Sequence, residues 1–71
     1  MNVKGYKRLS DEQRELFNNT YKRHLSCMGT ELRKQYEPSQ LKEIKWDRKE
    51  RCLKVYWQND WLHYLPNGTW F

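Results

Sequence analysis

Two hydrophobic periods divide this chain. Phe17, Tyr21, Leu25 and Met28, with His24 beside them, recur at steps of four, four and three residues and form one stripe on a helix. From about Leu41 onward the period falls to two, and the residues become rich in Trp, Tyr, Val and Ile, which suit a pleated surface. The pattern predicts an α+β domain: an N-terminal helix over about 10–28, a short second helix over about 30–36, and an antiparallel β-meander over about 42–71.

The helix start is written locally. Ser10-Asp11-Glu12-Gln13 matches a capping box, in which the Ser10 hydroxyl accepts from the Gln13 amide and the Gln13 side chain reaches back; the two acids suit the positive helix end. The side away from the stripe carries Glu12, Glu15, Asn19, Lys22 and Arg23, mixed in sign, so the helix reads as scaffold rather than as a DNA-reading element. Arg14 falls near the stripe and has no evident role there. Gly29 is expected to stop the helix in a left-handed conformation. Thr30 should then cap the segment to Tyr36, with Leu32 and Tyr36 facing inward before Pro38 ends it. That second helix is too short for the recognition helix of a helix-turn-helix motif.

Three turn signals divide the rest: Asp47-Arg48-Lys49-Glu50, Gln58-Asn59-Asp60 and Pro66-Asn67-Gly68-Thr69. They predict strands over about 42–47, 51–57 and 61–65 and a terminal stub over 69–71. Two-residue loops at Arg48-Lys49, Asn59-Asp60 and Asn67-Gly68 would set Ile44 opposite Leu53, Val55 opposite Tyr64, Leu65 opposite Trp70 and Tyr64 opposite Phe71. Opposed residues share a face. One face then carries Ile44, Leu53, Val55, Trp57, Leu62, Tyr64 and Phe71 and meets the helix stripe. The other carries Lys45, Cys52, Lys54, Tyr56, Trp61, His63, Leu65 and Trp70.

That second face sets this chain apart, because a half-exposed sheet ordinarily turns polar residues to water, whereas this one turns out large rings flanked by lysines. Three readings compete. The N-terminal segment or the short helix could cover the rings as a second core. The rings could meet a protein partner, since Trp and Tyr dominate interface energies. Or they could stack bases while lysines hold phosphates.

Composition and charge narrow the classes. Seventy-one residues make one domain with a small core, and a mean hydropathy of −1.25 is offset by four Trp, five Tyr and two Phe. The net charge is +5, and all fourteen Lys and Arg, with eight of the nine acids, lie at or before Lys54, leaving +6 on that part. Residues 1–8, with Lys4, Lys7 and Arg8 around Gly5, read as a basic, solvated tail. No run reaches the length of a membrane span and the N-terminus has no apolar signal region, so the expected location is the cytoplasm, with Cys27 and Cys52 as free thiols.

Catalytic signatures are missing. There is no Gly-rich phosphate loop, paired-carboxylate motif or nucleophile elbow, so neither catalysis nor a cofactor is expected. His24, Cys27, Cys52 and His63 could in principle make a zinc set, but their spacings fit no common zinc pattern, and no metal site is expected.

The segments Ile44-Lys45-Trp46-Asp47, Cys52-Leu53-Lys54-Val55-Tyr56-Trp57, Trp61-Leu62-His63-Tyr64 and Asn67-Gly68-Thr69-Trp70-Phe71 resemble the C-terminal part of small proteins encoded by phages and prophages of Bacillus-like bacteria, over roughly residues 25–71. The resemblance implies a mobile-element accessory protein acting in the host cytoplasm and transfers no functional residue. The expected function is a non-catalytic binding module for nucleic acid, preferably single-stranded, through Lys45, Arg48, Lys49, Arg51, Lys54, Tyr56, Trp61, His63 and Trp70. The alternative is a protein-interaction module, either a modulator of a host protein or a homodimer through the same face. Neither a membrane nor a small-molecule substrate is expected.

Overall fold

The computed structural model describes residues 3–71 and has the α+β architecture that the two periods predict. Helix α1 (Asp11–Ser26) opens on the complete capping box: Ser10 Oγ accepts from the Gln13 amide at 3.1 Å, and Gln13 Oε1 accepts from the Ser10 amide at 2.9 Å. Four-residue helix α2 (Thr30–Arg33) is followed by two 3-10 turns, Lys34–Tyr36 and Pro38–Gln40. Strands β1 (Leu41–Asp47), β2 (Cys52–Trp57) and β3 (Trp61–Tyr64) form an antiparallel meander in the order β1-β2-β3. Among the described residues, no helix is long and apolar enough to cross a membrane.

The helix stripe packs on one face of the sheet. Phe17 stacks on Tyr21 at 5.4 Å and on Tyr64 at 5.8 Å between ring centroids, and Leu41, Ile44, Leu53, Val55 and Trp57 complete the buried core. His24 lies buried in a box of four rings, at 4.9 Å from Tyr36, 5.6 Å from Trp57, 5.8 Å from Tyr64 and 5.1 Å from Trp70. It shares a 2.8 Å hydrogen bond between Nδ1 and the Tyr64 hydroxyl, and burial lowers its pKa despite the opposing pull of Asp60.

Several local expectations are corrected. Gly29 is extended (φ −74°, ψ 171°) and precedes α2 as its N-cap without a side-chain bond, so Thr30 is the first helical residue rather than the cap. Leu32 is 46% exposed, whereas Tyr36 does face inward, accepting the Tyr21 hydroxyl on its carbonyl and donating its own hydroxyl to Asp60 Oδ2 at 2.5 Å. The Asp60 bond, with burial, pushes the Tyr36 pKa up to about 12.

Within the basic N-terminal segment, Met1 and Asn2 lie outside the described residues, but the remainder is not a solvated tail. The Ile44 amide donates to the Lys4 carbonyl at 3.0 Å, Tyr6 meets Phe17 edge-on at 6.2 Å, and Leu9 is buried in the core. Arg14 fastens this segment by donating from its guanidinium to the Tyr6 carbonyl at 3.3 Å and the Lys7 carbonyl at 2.9 Å, which accounts for a charge beside an apolar stripe. Gly5 is required at the crossing: its φ is +88°, and a Cβ there would sit 2.0 Å from the Ile44 carbonyl oxygen.

The three turns differ from expectation by unequal amounts. Between β1 and β2 the loop has four residues rather than two. Asp47 Oδ1 accepts the Lys49 and Glu50 amides at 2.9 and 3.0 Å, Arg51 takes φ 52°, and Ile44 pairs with Val55 rather than Leu53. Between β2 and β3 the two-residue loop is Gln58-Asn59, closed by the Trp57 amide on the Asp60 carbonyl at 2.7 Å, so Val55 pairs with Leu62 rather than Tyr64. Each of these slips is two residues, which returns the side chains from Glu43 onward to their expected faces, while a bulge between Leu41 and Glu43 turns Leu41 into the core. The third is one residue. The loop is Pro66-Asn67-Gly68, with Gly68 at φ +84° and the Leu65 amide bonded to the Thr69 carbonyl at 2.8 Å; this three-residue hairpin places the left-handed glycine last. Trp70 therefore pairs with Tyr64 and turns toward the helix, while Phe71 pairs with His63 and turns away from it.

Candidate binding face

Cross-strand registry builds the open face from two rows. Glu43, Tyr56 and Trp61 are aligned in one, and Lys45, Lys54 and His63 in the next, with Phe71 joined to His63 by reciprocal backbone bonds of 2.9 and 3.1 Å. The rings run together without a break. Tyr56 stacks on Trp61 (5.8 Å, 19° between planes), Trp61 lies tilted on His63 at 4.9 Å, and His63 stacks on Phe71 (4.4 Å, 9°).

Neither segment proposed to cover these rings does so. Tyr36 at the end of the short helical segment packs on Trp57, a core residue, at 5.1 Å, and the N-terminal segment lies along the outer edge of β1. Trp61 stays 49% exposed and Phe71 64% exposed.

The cations gather at one end. Lys45 and Lys54 face each other directly, an arrangement of like charges that destabilises a sheet unless something negative stands near. Asp47 supplies part of that, with Oδ2 at 3.0 Å from Lys54 Nζ. The Glu50 amide first, and then Lys54, hold the Asp47 carboxyl below its usual range, and Asp47 in turn raises the Lys54 pKa. Lys45, Arg48, Lys49 and Lys54 line one shallow depression together with Asp47 and Tyr56.

Eight of the nine residues expected to bind thus fall on this face or its turn: Lys45, Lys54, Tyr56, Trp61 and His63 on the sheet, with Arg48, Lys49 and Arg51 exposed in the loop. Trp70 is the exception. The one-residue slip of the last hairpin sends it to the opposite face, 5.1 Å from His24, and Phe71 takes the outward place. Sequence reasoning missed two participants. Phe71 was set inward by assuming a two-residue loop, and Pro66 before Asn67-Gly68 was the available sign of a longer one. Glu50 reads in the sequence only as a turn residue.

The histidines and cysteines considered together as a zinc set are separated by the sheet. His24 is on the sheet-facing side of α1 and Cys27 is exposed at its C-cap, while Cys52 and His63 belong to the open side. Both thiols are free. Glu50 joins the second pair: its Oε2 is 3.4 Å from His63 Nε2 and accepts from Cys52 Sγ at 3.8 Å. Burial raises the Cys52 pKa, and the negative charges of Glu50 and Asp47 add to the rise. No protein-family model, curated protein or solved structure matches this chain.

Proposed function

We propose that this protein is a non-catalytic binding module that engages single-stranded nucleic acid through the open face of its sheet. The observation that carries the reading is the unbroken ring row of Tyr56, Trp61, His63 and Phe71, in which Trp61 and Phe71 are exposed, edged by the directly opposed Lys45 and Lys54. Stacking on exposed rings is indifferent to base identity, and cations beside the rings meet the phosphates that follow the bases. A single strand fits better than a duplex, because only unpaired bases expose the faces that rings can stack on. Arg48, Lys49 and Arg51 extend the positive edge beyond the sheet.

Anisotropy titration of a labelled mixed-sequence single strand tests this reading. Affinity is expected to fall steeply between about 50 and 200 mM salt, and replacing Arg48 and Lys49 by Gln to flatten that slope. Trp61→Ala should weaken binding by about 1–3 kcal/mol while leaving the melting temperature nearly unchanged. Absence of saturable binding, or binding indifferent to salt, rejects the reading.

A protein partner or a second copy of the chain is the other reading, favoured by one observation. Trp61 and Phe71 are the large apolar side chains most exposed on this face, and Lys54 is already engaged by Asp47. Capture from host lysate with and without nuclease separates the two.

A further inference from the structure

One corner of the open face brings together three metal-ligating side chains from three segments: Glu50 in the β1–β2 loop, Cys52 at the start of β2 and His63 in β3. Their ligand atoms all lie within 4.8 Å of one another, with 3.4 Å from His63 Nε2 and 3.8 Å from Cys52 Sγ to Glu50 Oε2. Tetrahedral zinc, with bonds of about 2.0 Å to nitrogen or oxygen and about 2.3 Å to sulfur, sets neighbouring nitrogen and oxygen ligands about 3.3 Å apart and a sulfur about 3.5 Å from either. The His63–Glu50 edge, at 3.4 Å, is therefore already at length, and the Cys52–Glu50 edge, at 3.8 Å, needs to shorten by only about 0.3 Å. We propose that Glu50, Cys52 and His63 form a three-ligand site for a zinc-class divalent cation, with the fourth tetrahedral position open to solvent.

Each ligand is held in place by its surroundings. His63 is clamped between Trp61 at 4.9 Å and Phe71 at 4.4 Å, which leaves its Nε2 directed at Glu50. Cys52 is 1% exposed and paired with Asp47, and Asp47 Oδ1, by accepting the Glu50 amide, shapes the loop that presents Glu50. Glu50 is exposed, so an ion reaches the site from solvent without rearrangement of the core.

The chemistry selects the ion. One thiolate, one carboxylate and one neutral imidazole balance a divalent charge, and a mixed sulfur, nitrogen and oxygen set suits zinc rather than magnesium or calcium, which take oxygen ligands. On binding, the Cys52 S–H bond gives way to a sulfur–metal bond and the proton passes to solvent. The site borders the ring row through His63 but does not depend on the nucleic-acid reading, because Trp61 is not a ligand.

Cobalt(II) titration of the reduced, full-length chain is the test. The expected result is one ion per chain, a thiolate-to-cobalt charge-transfer band that zinc abolishes by displacement, and a zinc-dependent rise in melting temperature, since the ion ties the loop to two strands. Glu50→Gln, at an exposed position, should lower affinity at least about tenfold, by analogy with the loss seen when even residues behind the ligands are changed. Cys52→Ser should lose the band, and Cys27→Ser should keep it. If Cys52→Ser does not fold, Glu50→Gln and Cys27→Ser decide the matter. Absence of the band in folded wild type, its loss in Cys27→Ser, or unchanged affinity in Glu50→Gln overturns the proposal.

Discussion

Both faces of this sheet carry aromatic rings, and the rings end in different states. Along β2, Leu53, Val55 and Trp57 are buried under α1, while Lys54 and Tyr56, on the alternate positions, remain partly open. Tyr64 in β3 is fully buried and Trp61 in the same strand is half-exposed. Aromatic content does not distinguish these faces; cover does. Phe17, Tyr21 and His24 close one face with rings of their own, whereas the segments free to close the other are held elsewhere by Arg14, Gly5 and Tyr36. A ring covered by the helix stabilises the fold, whereas Trp61 and Phe71, which meet other rings only within the open face, keep much of their surface in solvent.

The sharpest way to break the comparison is to remove a ring from each side. Tyr64→Ala should cost about 3–5 kcal/mol, because it opens a cavity against Phe17 and strips His24 of its hydrogen-bond partner. A domain of this size has a net stability of only a few kcal/mol, so the variant should be unfolded at room temperature by circular dichroism. A folded Tyr64→Ala would mean that the helix-side face is not the core.

A finer cut lies between neighbours. Trp70→Ala should destabilise by about 1.5–3 kcal/mol through lost burial against His24, and Phe71→Ala by under about 1 kcal/mol, because only its stacking on His63 is lost. Chemical denaturation of the pair reads the register of the last hairpin directly. The reverse order would restore the two-residue Asn67-Gly68 loop.

The smallest effect is a pH dependence that originates on the covered face. Burial lowers the His24 pKa, so in the folded state the ring stays neutral to lower pH than in the unfolded chain. The unfolded chain then binds the extra proton as pH falls below about 6.5, and stability declines from there until the folded-state pKa is passed. Melting temperature followed from pH 8 to pH 5 should show this decline, and His24→Gln should remove it. An unchanged slope in His24→Gln would assign the acid sensitivity to other groups.

How much of this was legible beforehand follows from which signals are local. The capping box at Ser10, the stripe through Phe17, Tyr21 and Leu25 with His24 beside it, and the switch to period two each sit within a few residues, and the structure reproduces them, except that Met28, the stripe's last member, falls beyond the end of α1 and outside the core. The open face was legible as well, because slips of two residues at Arg48-Lys49 and Asn59-Asp60 leave side-chain alternation intact. So was the grouping of Lys45, Arg48, Lys49 and Lys54 around Tyr56.

What the chain's own pattern determined is therefore the class of fold, the covered stripe and the parity of β1 to β3. Tertiary structure alone decided the rest. Whether the last hairpin closes with two residues or three depends on the φ of Gly68 and on what Trp70 packs against, and that single residue exchanged Trp70 for Phe71 on the open face. The seating of Lys4 to Arg8 depends on an Arg14 guanidinium finding carbonyls seven and eight residues away. The meeting of Glu50, Cys52 and His63 depends on a loop and a strand pairing acting together. Periodicity reports which way a side chain points, but not what stands opposite it, because that partner comes from a distant part of the chain.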